Sequence, residues 1–197
     1  MKKLLFIIAL FLCIPIYAKK IYKCNYTIVA PIDTVHIKGT LYTDTIISLN
    51  FSLNESSLGI TIANKSAQPM FIDWEQCAMV INGISERCIH SGIKYIEKAN
   101  PQPRTIIAPS AILSDVLSPV SYITWLDRSY LSLPSMWNIM PIVALSTTSG
   151  NHNYKFTEEA ILAQENKEIT IMLCIIIEEK PVYKTFTIRC FNFKQSK

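Results

Sequence analysis

The sequence is poor in the residues that common catalytic and nucleotide-binding motifs require. Its five glycines stand singly, so it contains neither a glycine-rich phosphate loop nor a Gly-x-Ser-x-Gly nucleophile motif. None of its three histidines has a carboxylate or a second histidine at metal-ligand spacing, and no Cys-x-x-Cys pair occurs. These absences give no support to a phosphate-binding enzyme, a serine hydrolase or a zinc site, and no cofactor is predicted.

Charged residues are also scarce, at 17% of the chain. The formal net charge of +4 falls to +2 if Lys2 and Lys3 are removed with the segment described next. A nucleic-acid-binding surface would show a clustered basic stripe, so nucleic acid is not a predicted partner. Half of the residues are hydrophobic, which is enough to build an ordered core.

The first 18 residues have the layout of a secretory signal peptide. Lys2 and Lys3 are followed by an apolar run at residues 4–14, then by Pro15 and by a small residue, Ala18. The run is too short for a membrane-spanning helix, so no such helix is predicted after cleavage. We therefore predict export to the periplasm or surface of a bacterium, which the frequent Lys, Ile and Asn residues also favour, and a single domain at residues 19–197.

Cys13 leaves lipid attachment open as an alternative. Lipoprotein signals end in a small residue directly before the lipidated cysteine, whereas Leu12 occupies that position here. This difference favours cleavage after Ala18 over lipidation at Cys13.

Alternation of apolar and polar residues predicts antiparallel strands. Residues 47–53 and 58–62 alternate on either side of a polar turn at 54–57, which predicts a hairpin. Asn82 and Gly83 predict a second hairpin, because both tolerate the positive φ of a type I′ turn.

The second hairpin carries a predicted disulfide bond. A two-residue loop at 82–83 pairs Ile81 with Ile84, and the same register places Cys77 opposite Cys88. In an oxidising compartment the two thiols are predicted to be joined. Five cysteines follow residue 18, so at least one is free or pairs outside the chain.

The last predicted hairpin joins an almost unbroken apolar run at 169–177 to residues 182–193. The run is typical of a strand covered on both faces. If paired residue numbers sum to about 360, Cys174 faces Phe186, and no simple cross-strand bond forms with Cys190. Residues 158–164 precede this hairpin and are predicted to form a short helix or a helical turn.

Residues 118–141 are irregular and rich in aromatic residues, among them Trp125, Tyr130 and Trp137. Two interpretations are open. These side chains plug the open end of a sandwich, which is the more common fate of large aromatic residues. Alternatively they form a binding surface.

A thiol enzyme is the main catalytic alternative. Cys88 and His90 are two residues apart and share a face in a strand, as a thiolate–imidazole pair would require. The predicted partner of Cys88 at Cys77 favours a structural role for the thiol instead.

Residues 62–95 resemble a family of uncharacterised bacterial secreted proteins and lipoproteins of immunoglobulin-like type. The resemblance rests on the residues at 62–66, 69, 72–74, 82–87, 89–92 and 95. More loosely, the alternation of strands with Asn/Ser turns is similar to that of periplasmic pilus chaperones. The resemblance implies a β-sandwich in the cell envelope and no particular activity.

Together these patterns predict an all-β protein, an antiparallel immunoglobulin-like β-sandwich with an irregular aromatic-rich insertion. The predicted function is non-enzymatic: binding of another envelope protein or a glycan, or a structural role in the envelope. The alternatives are a thiol-dependent enzyme and a chaperone-like periplasmic subunit that lends a strand edge.

Overall fold

The structure, a computed structural model, describes residues 19–29, 37–131, 133–149 and 154–196. The predicted signal peptide at residues 1–18, with Cys13, lies outside the described residues. The described strands, in chain order, are β1 Tyr22–Val29, β2 Ile37–Lys38, β3 Leu41–Thr43, β4 Ile47–Leu53, β5 Leu58–Asn64, β6 Met70–Ile72, β7 Ala78–Ile81, β8 Ile84–His90, β9 Thr105–Ile107, β10 Ile112–Pro119, β11 Ile123–Leu126, β12 Met136–Ile139, β13 Thr148–Ser149, β14 Tyr154–Lys155, β15 Glu168–Ile177 and β16 Lys180–Gln195.

Helical structure is confined to short segments in the part of the chain that the structure describes. Single 3-10 turns cover Trp74–Gln76, Tyr95–Glu97, Val120–Tyr122 and Ser129–Leu131. The one described α-helix, α1, covers Glu158–Leu162, and the Thr157 side chain caps it by accepting a hydrogen bond from the Ala160 N–H. This agrees with the helix predicted at 158–164. No helix among the described residues is both long and apolar enough to cross a membrane.

Twelve strands form one antiparallel sheet in the order β1-β16-β15-β7-β8-β10-β5-β4-β3-β2, with β6 paired to β15 and β9 paired to β6. The sheet is nearly closed, because the N–H of Ile28 on β1 donates to Gly39 O in the turn between β2 and β3, at 2.9 Å. The predicted all-β antiparallel class is confirmed. The immunoglobulin-like sandwich is not confirmed, since neighbouring strands among the described residues continue one sheet around the core.

The hairpin predicted at 47–62 and the hairpin predicted about residues 82–83 are both confirmed. Strands β4 and β5 pair from Ile47 opposite Asn64 to Leu53 opposite Leu58. Strands β7 and β8 pair about Asn82 and Gly83, which have φ values of 52° and 79°. These positive values are those that a type I′ turn requires.

The predicted bond between Cys77 and Cys88 is not present: all five described cysteines carry free thiols. The β7–β8 ladder stops at Ala78 opposite Arg87, one pair before the two cysteines. Cys77 instead ends the 3-10 turn at Trp74–Gln76, with its N–H bonded to Trp74 O. Its Sγ donates to Asp73 O at 3.3 Å and accepts from the N–H of Cys174 at 3.4 Å. The 3-10 turn therefore takes Cys77 out of the ladder.

The predicted register of the last hairpin is wrong. Cys174 pairs with Tyr183, and Phe186 pairs with Ile171. The turn is shorter than expected, because Glu178 and Glu179 both adopt positive φ, at 50° and 63°, and close a two-residue loop.

The buried core lies inside the nearly closed sheet. Phe186 on β16 contacts two aromatic rings across the core, Phe51 at 5.4 Å and Tyr42 at 4.9 Å between ring centroids. Trp74 is fully buried, and its indole N–H donates to Thr105 Oγ1 at 2.8 Å. The ring contacts link β3 and β4 to β16 across the core, and the Trp74 hydrogen bond reaches β9. These contacts fix the scaffold that carries the candidate site.

Candidate functional site

Two tryptophans predicted from the sequence come together on a separate two-stranded sheet formed by β11 and β12. Trp125 and Trp137 lie directly opposite each other in the register. Their rings meet edge to face, with centroids 5.2 Å apart and an interplanar angle of 65°. Trp125 remains 54% exposed, so it does not plug the interior.

A second segment completes this surface. Tyr95, in the 3-10 turn after β8, packs edge to face on Trp137 with centroids 5.8 Å apart. Its neighbour Ile96 is 78% exposed. We refer to Tyr95, Ile96, Trp125 and Trp137 as the aromatic surface.

A groove runs beside the aromatic surface. It is shallow and open to solvent, has a volume of about 640 Å³ and is lined by residues 91–96 and by Trp137. Lys98 fixes the adjoining turn, since its ammonium group donates to the carbonyl oxygens of Val120 and Ile123 at the start of β11. The two segments that form the surface are thus tied to each other at one end.

The loop between β11 and β12 is closed by Asp127. Its carboxylate accepts hydrogen bonds from the Ser129 N–H and from Ser135 Oγ, both at 2.9 Å, and these bonds lower its pKa. Leu131 and Leu133 are exposed in this loop. Tyr130, the third aromatic residue predicted to form the binding surface, belongs to the 3-10 turn of the loop, and its side chain is outside the described part.

A buried histidine–aspartate pair anchors the segment that carries Tyr95. His90 Nδ1 lies 3.1 Å from Asp115 Oδ2, and the side chains are only 8% and 7% exposed. The other carboxylate oxygen accepts from Ser91, from its N–H at 2.9 Å and from its Oγ at 2.6 Å. Asp115 on β10 therefore holds the start of the 91–96 segment against the sheet.

Further contacts fix the imidazole ring and the backbone of His90. The Trp74 ring stacks on it, with centroids 4.7 Å apart and planes 13° apart. The side-chain oxygen of Gln102 accepts from the N–H of His90 at 3.3 Å, and its amide donates to Cys88 O at 2.7 Å. A Cβ added to Gly92 would lie 2.7 Å from His90 Cε1, so the glycine is required for this close approach.

The geometry does not assemble a nucleophilic site around His90. Its Nε2 is buried and has no hydrogen-bond partner among the described residues. Ser91 Oγ donates to Asp115 rather than to the imidazole. The Cys88 thiol, proposed as the nucleophile of a thiol enzyme, is buried, and desolvation raises its pKa well above the ordinary value. The pair instead positions the Tyr95 segment.

The structure thus unites Trp125 with Trp137, and adds Tyr95 and Ile96, which sequence reasoning missed. Asp115, too, was missed, because it lies on another strand 25 residues after His90. One local signal could have pointed to Tyr95. The turn at Ser91 and Gly92 ends the β8 pattern shortly before this aromatic residue.

Comparisons of this chain with protein-family models, curated proteins and solved structures found no match.

Proposed function

We propose that this protein is an exported, non-enzymatic binding module of a bacterial cell envelope, and that its aromatic surface binds another envelope protein. The observation that carries the proposal is the exposure of both Trp125 and Ile96, which Trp137 links in one surface through its ring contacts with Trp125 and with Tyr95, the neighbour of Ile96. Contiguous exposed apolar side chains mark interaction sites on soluble domains. Tryptophan and tyrosine are also the residue types most enriched where binding energy is concentrated.

Aliphatic side chains favour a protein partner over a glycan. Ile96 belongs to the surface itself, and Leu131 and Leu133 lie in the adjoining β11–β12 loop. These groups offer no polar atom to a sugar hydroxyl, but their burial against apolar side chains is favourable, at roughly 25 cal/mol per Å².

The charges near the aromatic surface are of both signs. Lys94 and Glu97 flank Tyr95 and Ile96 in the sequence, and Asp127 and Arg128 follow β11. An apolar centre with a mixed polar rim is the usual anatomy of a protein interface. The proposed partner therefore presents an apolar patch surrounded by polar groups rather than a strongly charged face.

Photo-crosslinking in cells that produce the full chain tests this proposal. A photoreactive amino acid replaces Ile96, and in a matched control it replaces Ile112, an exposed isoleucine at the end of β10 away from His90. We expect a discrete protein adduct from position 96 that is absent from position 112 and is lost when Trp125→Ala is added.

Equal adducts from both positions, or an adduct that survives Trp125→Ala, would overturn the proposed surface. If position 96 gives no protein adduct, and tryptophan fluorescence of the purified chain changes on addition of cell-wall polysaccharide, the partner is a glycan and the proposed protein partner is wrong.

The strand-lending alternative has less support, because the outer edge of β1 is already engaged at both ends. The N–H of Tyr22 donates to Leu145 O at 2.7 Å, and the N–H of Ile28 donates to Gly39 O at 2.9 Å. Edge addition needs a row of free backbone groups.

A further inference from the structure

The first and last strands of the sheet bring two thiols together. Cys24 lies on β1 and Cys190 on β16, where Cys190 pairs with Tyr26. Cys24 is two residues from Tyr26, so it shares that face and lies diagonal to Cys190. The two thiols interact, and this interaction is the largest influence on the pKa of each.

A β-bulge interrupts the ladder beside the two cysteines. In a regular ladder, diagonal neighbours are about 7–8 Å apart, which is too far for the two sulfur atoms to bond. Here the register shifts between Lys23 and Asn25, and Asn192 on the opposite strand has a φ of 60°. The additional residue on β16 increases the local twist, so the diagonal spacing of a regular ladder does not apply at Cys24 and Cys190.

The two thiols differ in their surroundings. Of the five described cysteines, Cys24 alone is not fully buried, whereas Cys190 is buried. The interaction with Cys190 lowers the pKa of Cys24, and the same interaction, together with burial, raises the pKa of Cys190. An accessible thiol with a lowered pKa beside a buried thiol is the arrangement of an attacking and a resolving cysteine.

We propose that Cys24 and Cys190 form a disulfide bond by exchange with an external disulfide, and that this bond fastens β1 to β16. The Cys24 thiolate attacks one sulfur of the external disulfide, forms a mixed disulfide and releases one external thiol. Cys190 then loses its proton and attacks Cys24 Sγ, which releases the second external thiol. Two protein thiols are oxidised and one external disulfide is reduced to two thiols.

The bond would strengthen the pairing of β1 with β16. Joining residues so far apart in sequence restricts the unfolded chain strongly, so oxidation is expected to raise the melting temperature by several degrees. The proposal does not depend on what the aromatic surface binds.

Incubation of the purified full chain with glutathione disulfide tests the proposal, followed by alkylation and peptide mapping without reduction. We expect a peptide pair that links Cys24 to Cys190, the loss of two free thiols and a higher melting temperature. Cys24→Ser should abolish all three changes, whereas the control Cys88→Ser should keep them. In Cys190→Ser the reaction should stop at a glutathione adduct on Cys24.

Two results would overturn the proposal. One is a map in which both cysteines remain alkylated as free thiols after full oxidation. The other is a link from Cys24 to Cys77, Cys88 or Cys174, which would place its sulfur next to a different residue. Because the mapping is carried out on the wild-type chain, poor folding of a serine variant does not affect this decision.

Discussion

Replacing Trp74 with alanine is expected to lower the free energy of unfolding by about 3–5 kcal/mol, the usual cost of removing a large buried aromatic side chain. Trp74 is fully buried, so the substitution leaves a cavity. It also removes the stacking partner of His90 and the hydrogen bond to Thr105 Oγ1. Thermal unfolding should show a melting temperature lower by about 6–20 °C, or a chain that does not fold.

Trp125→Ala is the matched control for this prediction. It removes the same side chain from a position that is half exposed, and we expect it to cost less than about 1 kcal/mol. Trp74→Phe, which keeps most of the ring, should lie between the two. If Trp125→Ala destabilised the protein as strongly as Trp74→Ala, Trp125 would be part of the core and unavailable to a partner.

Asp44→Asn is expected to lower the free energy of unfolding by about 2 kcal/mol at pH 7. Asp44 Oδ2 accepts from Lys184 Nζ at 2.5 Å and from the Tyr42 hydroxyl at 2.8 Å. Its Oδ1 accepts from the N–H groups of Ile46 and Ile47 at 2.8 and 2.7 Å. The variant leaves Lys184 without its counter-charge, and the cost is below that of a fully buried pair because both side chains retain 19% exposure.

The contribution of the Asp44 carboxylate to the free energy of unfolding should depend on pH. Burial alone would raise the pKa of this carboxyl, but the hydrogen bonds from Lys184, Ile47, Tyr42 and Ile46 outweigh it and lower the pKa from 3.8 to about 2. The stabilisation is present above the unfolded value of 3.8 and is lost as the pH falls through about 2.

The difference in melting temperature between the wild type and Asp44→Asn should therefore be large at pH 7 and shrink from pH 4 towards pH 2. A difference that does not change over this range would contradict the assignment. Glu168→Gln is the control, since it breaks an exposed ion pair with Arg189 and should cost at most about 1 kcal/mol.

Local patterns allowed the sequence to predict the first two hairpins correctly. In β4 and β5 the alternation shows which face is buried, and this determines the register. At Asn82 and Gly83 the turn residues themselves indicate a two-residue loop. Both signals lie within a few residues of the structure that they predict.

The last hairpin lacks both signals. Strand β15 is buried on both faces from Leu173 to Ile176, so no alternation distinguishes one register from another. Glu178 and Glu179 are unusual at positive φ, and nothing in their chemistry indicates the two-residue turn that they form.

The single nearly closed sheet and most of the site depend on long-range contacts that no local pattern specifies. Pairing of β1 with β16 joins the first and last described strands, and the His90–Asp115 contact joins β8 to β10. Cys77 leaves its ladder because of a 3-10 turn that begins at Trp74, whose indole is anchored 31 residues away on Thr105. The sequence identified Trp125 and Trp137 as residues of interest, but only the fold shows that Tyr95 joins them.

Hydroxyl-radical footprinting of the protein in intact cells that produce it, compared with the purified chain, tests the central claim most directly. Tyr183 on β16 serves as the internal reference, because its exposure of 51% matches the 54% of Trp125. If the aromatic surface is occupied by a partner, Trp125 should be modified severalfold more slowly in the cells than in the purified chain, with Tyr183 unchanged. Equal modification of Trp125 in both preparations would show that the surface is uncovered and would contradict the proposed function.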